Sequence, residues 1–246
     1  MIINSFRFAS AAAPSFTLEV NATDGTFTIP TTTGTYLYDY TTNDTVSGTG
    51  ITGNTTITFP SGIGTYEIYI TGTFPRIFFS NGGDKLKLLR VLEWGDYGVG
   101  ATNQTSAFYG CTNLTSIAND VDNINLVTNG TFMFNVCSSL ATLPSNLTLD
   151  SLTAATNMFR LCPLIDLPSG VALPNLSVGT NMFALAAVIN TTRYSQLLVD
   201  LESGNANNNV TFHGGTSKYN ATGKVARDIL TGVSRTWTIT DGGLEP

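Results

Sequence analysis

Apolar and polar residues alternate along positions 16–79, between short turns rich in Gly, Thr and Asn. Successive side chains of a strand point to opposite faces, so this period of two predicts about five antiparallel strands with one buried face. Turn signals that recur about every 8–12 residues are typical of a small β-sandwich. We therefore predict an antiparallel β-sandwich over residues 16–80, with strands in FTLEV, GTFTIP, TYLYDY, GNTTITF and GTYEIYITG.

A longer period begins after residue 100. Four segments align: TSAFYGCTNL, TFMFNVCSSL, TNMFRLCPLI and TNMFALAAVI, and their Phe residues are 26, 25 and 24 positions apart. All three cysteines fall in one slot of this repeat, and every Met except Met1 falls in another. The recurring apolar slots predict a structural core made of Phe108, Cys111, Leu114, Met133, Phe134, Cys137, Leu140, Met158, Phe159, Cys162, Ile165, Met182, Phe183 and Ile189.

The spacing inside each repeat predicts its local structure. Met, Phe and Cys stand at relative positions 0, 1 and 4, which share one face of a helical turn. LTSI, LATLP and LIDLP follow as short extended pieces, so each unit is predicted to be a helical turn and then a strand. Periods within about 20–29 residues are typical of leucine-rich repeats, whose units stack because none buries its apolar face alone.

We therefore predict a short leucine-rich-repeat-like solenoid over residues 81–190. RIFF, the NGG turn and LKLLRVLEW form a first, atypical repeat that covers its apolar end. Beyond Ile189 the pattern predicts an α/β C-terminal cap over residues 191–246. Its elements are a helix at Tyr194–Ser203, a strand at VTFHGG, a helix at Ser217–Leu230 and a strand at TWTITDGG. The whole fold is mainly β.

Several of these segments resemble known families. FYGCTNLTSI and TNMFRLCPLIDLP resemble BspA-like leucine-rich repeats of the Met-Phe-x-x-Cys-x-x-Leu variety, over roughly residues 86–246. That resemblance implies a non-enzymatic surface or appendage protein with a role in adhesion and binding. The chain has only four such units, and Ala186 replaces Cys in the last of them.

The two flanks carry weaker resemblances. TTITFPSGIGTYEIYITG is similar to the end of a polycystic-kidney-disease (PKD) type immunoglobulin-like domain, although YDYTTND stands in place of the usual Asp-Gly-rich hairpin. NVTFHGGTSKYNATGKVARDILTGVSRTWTITDGG resembles the C-terminal cap attached to such repeats in phage and marine-bacterial proteins.

The composition of the chain limits the classes of partner that we expect it to bind. Charged residues make up 11% of the chain, less than half of the usual share of about 25%, and the net charge is −6. The eleven cations are scattered singly and cannot form a phosphate-neutralising stripe, so we expect no nucleic-acid partner and no docking on anionic lipid. No window approaches about 18 consecutive apolar residues, so we expect no membrane insertion.

The cysteines are the first candidates for chemistry. Three equivalent cysteines in adjacent coils could form a disulfide in principle, or act as redox thiols, metal ligands or nucleophiles. Zinc needs four ligands, and Cys-x-x-Cys pairs are absent from the sequence. Because Ala186 occupies the same slot in the fourth unit, we interpret the cysteines as core packing.

The remaining candidates are His213 and the carboxylates. His213 is the only His, but it lies in a predicted strand beside two glycines, without a nucleophile motif. Glycosidase chemistry needs two carboxylates in a cleft, and the sequence nominates no pair among Glu19, Glu67, Glu93 and Asp166. Asp120 and Asp122, beside two Asn residues, are a weak calcium candidate, for which a solvated loop is the stronger interpretation. We expect no catalytic residue and no cofactor.

These observations favour a structural and binding protein of a bacteriophage virion, as a tail or head appendage or a capsid decoration. The uncharged Thr/Asn surface suits an extracellular setting, and MIINSFRFASAAAPSF lacks the pattern of a cleavable signal. Virion proteins reach the outside by lysis, and MIINSFRF resembles the N-termini of phage appendage proteins. We expect residues 1–15 to dock on other virion proteins or sister copies, in a homo-oligomer, with a trimer as our prediction.

The expected location is the virion surface, where the repeats would present a binding surface to a host glycan or protein. The alternative is a bacterial cell-surface adhesin of the BspA-like kind. A carbohydrate-active enzyme is a third class, and the absence of a nominated carboxylate pair counts against it.

Overall fold

The computed structural model describes residues 14–32 and 34–246. Residues 1–13, which hold most of the predicted docking segment, lie outside the described residues. The fold is mainly β with few helices. Its strands are β1 (Phe16–Ala22), β2 (Thr26–Ile29), β3 (Tyr38–Thr42), β4 (Ser47–Ile51), β5 (Thr55–Thr58), β6 (Gly64–Gly72), β7 (Leu88–Glu93), β8 (Thr211–His213) and β9 (Thr238–Thr240). The helices are α1 (Asp122–Asn125), α2 (Thr191–Gly204) and α3 (Ala221–Thr231).

The N-terminal part is a five-stranded antiparallel sheet in the order β4-β3-β6-β1-β7, beside a two-stranded sheet of β2 and β5. The predicted alternation is confirmed, since Leu18 and Val20 of β1 and Ile68 and Ile70 of β6 are buried. The strand β4 escaped prediction because its sequence, SGTGI, has too few apolar residues to show a period of two.

The strand β7 connects the sheet to the repeats. It pairs with β1, with Glu19 opposite Arg90, and so forms the edge of the five-stranded sheet. On its other side Arg90 forms a parallel bridge with Ser116, the first of a series of bridges between repeats. The segment predicted as a first, atypical repeat therefore also completes the sheet.

The predicted helical turn in each repeat is wrong. In the second unit, amides at Met133, Asn135 and Cys137 each donate to the carbonyl three residues earlier. Phe132 and Val136 have left-handed φ angles of 57° and 61°, which break any continuous helix. The unit is a chain of tight turns instead. The predicted strands LTSI and LATLP shrink to the isolated parallel bridge of Ser116 with Thr142, and LIDLP forms neither a strand nor a bridge.

A backbone ladder joins each repeat to the next. Alternate amides that are not used inside a unit donate to carbonyls one repeat further on, at 2.8–3.0 Å between the second and third units. The pairs there are Gly130 with Ala154, Phe132 with Thr156, Phe134 with Met158, and Val136 with Arg160. These bonds satisfy buried amides without a regular strand, which polar backbone groups in an interior require.

The Phe side chains form a column through the repeats. Consecutive rings of Phe108, Phe134, Phe159 and Phe183 are stacked, with centroids 5.4, 5.7 and 5.7 Å apart and planes within 10°. An edge-on aromatic ring closes each end, Trp94 against Phe108 at one end and Phe212 against Phe183 at the other. The edge-to-face contacts end the column in the geometry that aromatic pairs favour.

The C-terminal part covers the last repeat. The amide of Phe183 donates to the carbonyl of His213 in β8, which continues the ladder, and β8 pairs in parallel with β9. The helices α2 and α3 contact each other behind these strands, close to their predicted positions. Asn190 and Asn220 cap their N-termini through side-chain oxygens, the role in which Asn is most favourable.

Candidate binding surface

The predicted repeat core lies in the interior. The structure brings all of its residues into one buried cluster, with Phe108, Cys111 and Leu114 of the first unit fully shielded from solvent. Ile165 and Ile189 are the least shielded of the set, and each is only 4% exposed. The core therefore supports the shape of the surface and does not form part of it.

The cysteines form a file inside this core, and each is free. The Sγ atoms of Cys137 and Cys162 donate to the carbonyls of Phe108 and Phe134, at 3.2 and 3.0 Å. Burial raises the pKa of the Cys162 thiol to about 12 and raises those of Cys111 and Cys137 well above the ordinary value. Protonated, buried thiols make poor nucleophiles and poor metal ligands.

The Thr and Asn side chains bind the repeats together. Thr153 and Ser177 donate their hydroxyl protons to the carbonyls of Thr128 and Thr153, both at 2.9 Å. On another edge, Asn146 and Asn175 donate amide protons to the carbonyls of Asn119 and Asp150, both at 2.8 Å. Much of the uncharged polar composition thus serves contacts between units.

The weak calcium candidate has a backbone role. The carboxylate of Asp120 accepts hydrogen bonds from the amides of Trp94 and Gly95, which follow β7, at 2.9–3.0 Å. Asp122 lies in the first turn of α1, exposed to solvent. Within residues 14–32 and 34–246, no three His, Cys, Asp or Glu side chains are grouped so that they could hold a metal ion.

The sheet register does pair two carboxylates, although the sequence nominated no pair. Glu19 of β1 stands opposite Glu67 of β6. Arg90 binds Glu19 through two guanidinium nitrogens, and this hydrogen bonding lowers the pKa of Glu19. The Tyr69 hydroxyl donates to Glu67. An acid catalyst needs a raised pKa, so the arrangement suits a cross-strand structural pair.

The other chemical candidates lie apart. Glu93 accepts from the hydroxyls of Ser15 and Thr17, and Asp166 lines a shallow groove between the second and third repeats. His213 lies in β8, where its Nδ1 accepts from the amide of Gly215 at 3.0 Å. Burial lowers the pKa of His213, which favours the neutral ring.

The left-handed turn positions form a surface that the sequence did not predict. Every unit has a pair of them, four residues apart around its Phe, and these pairs align along one side of the stack, whereas the left-handed Leu149 and Leu173 are buried. We call this surface the rim: Ser106, Gly110, Phe132, Val136, Asn157, Leu161, Asn181 and Leu185. A left-handed conformation costs an L-residue about 1–2 kcal/mol, so Gly or Asn is expected at such positions.

Beside the C-terminal half of the rim lies a group of aliphatic side chains, most of them open to solvent. Leu185 is 65% exposed, and the neighbouring Leu164 and Val188 are 55% and 64% exposed. The amide of Leu161 donates to the carbonyl of Ala184 at 3.1 Å, which places the third and fourth units side by side here. We call Leu161, Leu164, Leu185 and Val188 the apolar patch. Leu185 is both exposed and held in a left-handed conformation, and exposed apolar side chains grouped in this way are typical of contact surfaces.

Comparisons of the chain with protein-family models, with curated proteins and with solved structures found no match. Among the described residues, no helix is long and apolar enough to cross a membrane.

Proposed function

We propose that the repeats form a leucine-rich-repeat-like solenoid of the BspA-like kind, in which tight turns replace the usual short strands. Equivalent residues of successive units form parallel bridges, from Asn103 through Asn129 and Ala154 to Val178. The period of 24–26 residues, the Phe column and the ladder of amides all favour one continuous stack.

We further propose a non-enzymatic structural and binding protein of a bacteriophage virion, placed on the virion surface as a tail or head appendage or a capsid decoration. The observation that carries the binding function is the apolar patch. In a chain with only 11% charged residues and a polar Thr/Asn exterior, three neighbouring aliphatic side chains, Leu164, Leu185 and Val188, face solvent beside the partly buried Leu161. Exposed apolar surface of this kind is typical of interaction sites.

The scaffold suits attachment to another surface. The side-chain and backbone bonds between units hold the rim in one conformation, so binding loses little conformational entropy. The host ligand that we propose is a glycan or a protein with an apolar face, contacted by Leu185 and its neighbours. Several copies on one particle would multiply a weak single contact.

The alternative function is a bacterial cell-surface adhesin, for which the same patch would serve. The resemblance of residues 209–243 to caps of phage proteins favours the virion. An enzyme is disfavoured because the pKa of Glu19 is lowered and Glu93 and Asp166 lie in separate places. A polysaccharide-depolymerisation assay with Glu93→Gln or Asp166→Asn tests that class, and activity lost in either variant would support it.

Proteomics of purified virions tests the proposed location. Abundant peptides of this chain in the particle would support it, and peptides confined to bacterial envelopes would support the adhesin instead. Binding of the purified protein to host cells tests the patch. Leu185→Asn is expected to weaken binding, whereas Asn181→Ser, on the same rim but outside the patch, is expected to leave binding unchanged.

A further inference from the structure

A second apolar surface lies at the far end of the molecule, between the two C-terminal helices. A groove of about 450 Å³ lies along the contact of α2 with α3, and it is lined by Val199, Glu202, Ala221, Thr222, Val225, Ala226 and Ile229. Val225 and Ile229 are 63% and 43% exposed, one turn apart on α3. Another face of α3 is already packed through Gly223 and Leu230, so the side chains of Val225 and Ile229 are not needed for packing of the helix.

The groove carries one uncompensated negative charge. Lys224 and Asp228 on the outer face of α3 pair with each other. Glu202 of α2 lines the groove and, within the described part of the chain, forms no ion pair. A matching occupant is an apolar segment with a single cation.

The chain itself contains such a segment, which we call the arm: residues 1–13, MIINSFRFASAAA. It has five large apolar residues, and Arg7 is its only charged side chain. The arm lies outside the described residues. It continues from Pro14 and Ser15, whose backbone packs against Gly95 just after β7.

We propose that the arm of one copy docks in the groove between α2 and α3 of a second copy, with Arg7 beside Glu202. The arm starts at one end of the Phe column, and the groove lies beyond the other end. The column spans on the order of 20 Å, at one inter-strand spacing for each repeat. An extended arm reaches at most about 45 Å, enough to pass beyond its own stack to a neighbour. Such a head-to-tail contact closes into a ring when the rotation between copies allows, as in a trimer.

Sedimentation of the full chain and its variants measures the contact. Val225→Asp places an unpaired charge in the apolar groove and is expected to raise the dissociation constant of the assembly about tenfold or more. Val233→Asp is the matched control, because Val233 is fully exposed just beyond α3 and outside the groove lining. Arg7→Glu is expected to weaken assembly too, and Arg7→Glu combined with Glu202→Arg to restore it.

Mixing the two variants distinguishes docking of the arm in a neighbour's groove from docking in the groove of its own chain. Arg7→Glu chains keep an intact groove and Val225→Asp chains keep an intact arm, so the mixture should form heterodimers at concentrations where each variant alone is mostly monomeric. The absence of heterodimers in the mixture would overturn the proposal. Self-assembly of either variant alone at the wild-type dissociation constant would overturn it as well. Arg7→Glu remains decisive if Val225→Asp fails to fold.

This inference goes beyond the proposed function and gives a structural basis to the homo-oligomer that the sequence led us to expect. Its failure would leave the apolar patch and the proteomics of purified virions as independent tests of the virion function.

Discussion

Replacing Phe134 with Ala removes the ring at the middle of the column. Phe134 is 1% exposed and stacks on Phe108 and Phe159, with centroids 5.4 and 5.7 Å away. A buried Phe→Ala change costs about 3–5 kcal/mol. The loss of two aromatic pairs, each worth about 0.5–1.5 kcal/mol beyond the buried area, places this variant in the upper part of that range. We therefore expect the free energy of unfolding to fall by about 4–5 kcal/mol, near the upper limit for one substitution.

Guanidinium and thermal unfolding measure this loss, with the fluorescence of Trp94 as a probe at the end of the column. For a chain of this size each kcal/mol corresponds to about 2–4 °C, so the melting temperature should fall by about 8–20 °C. Phe132→Ala is the matched control in the same repeat, because Phe132 lies on the rim and is only partly buried. Equal losses in the two variants would refute a continuous Phe column.

Three further results are expected. The three cysteines should resist thiol reagents in the native protein and react only on unfolding, because burial raises their pKa values. Hydrogen bonds, first from Lys87, lower the pKa of Asp24 from 3.8 to about 2, so the carboxylate stabilises the fold above about pH 4 and this stability is lost as pH falls through about 2. In a carboxyl NMR titration Lys87→Met should return the midpoint towards 3.8. Gly110→Ala should lower the free energy of unfolding by about 1–2 kcal/mol, since φ is 83° and the new Cβ would lie 2.3 Å from Asn81. In the same denaturation assay, Leu185→Asn at the equivalent rim position should change it by less than about 0.5 kcal/mol.

The repeat was predictable because Phe and Cys recur in fixed slots, and identical slots must meet identical neighbours when units stack. The backbone conformation within each unit was not predictable. A helical turn would point the residues at offsets 0, 1 and 4 inward, and the tight turns around Phe134 point the same residues inward as well. Periodicity reports which side chains face the core and does not report the sign of φ at Phe132 or Val136.

The pairing of strands that are far apart in the sequence was the second feature that could not be predicted. The segment LKLLRVLEW reads as part of a repeat, and its role as β7 depends on β1, about seventy residues away, which local pattern cannot convey. The apolar patch was not predicted from the sequence for a related reason. The repeat assigns the core slots to Ile165 and Ile189, and the sequence alone does not show that the preceding Leu164 and Val188 lie together and exposed.

Electron cryomicroscopy of the assembled particle tests the central claim most directly. The account predicts copies of this chain on the virion, with the stacked repeats projecting, the apolar patch facing away from the particle and each arm in a neighbour's groove. Particles that lack the chain, or that bury the apolar patch of Leu161, Leu164, Leu185 and Val188 against the virion, would contradict it.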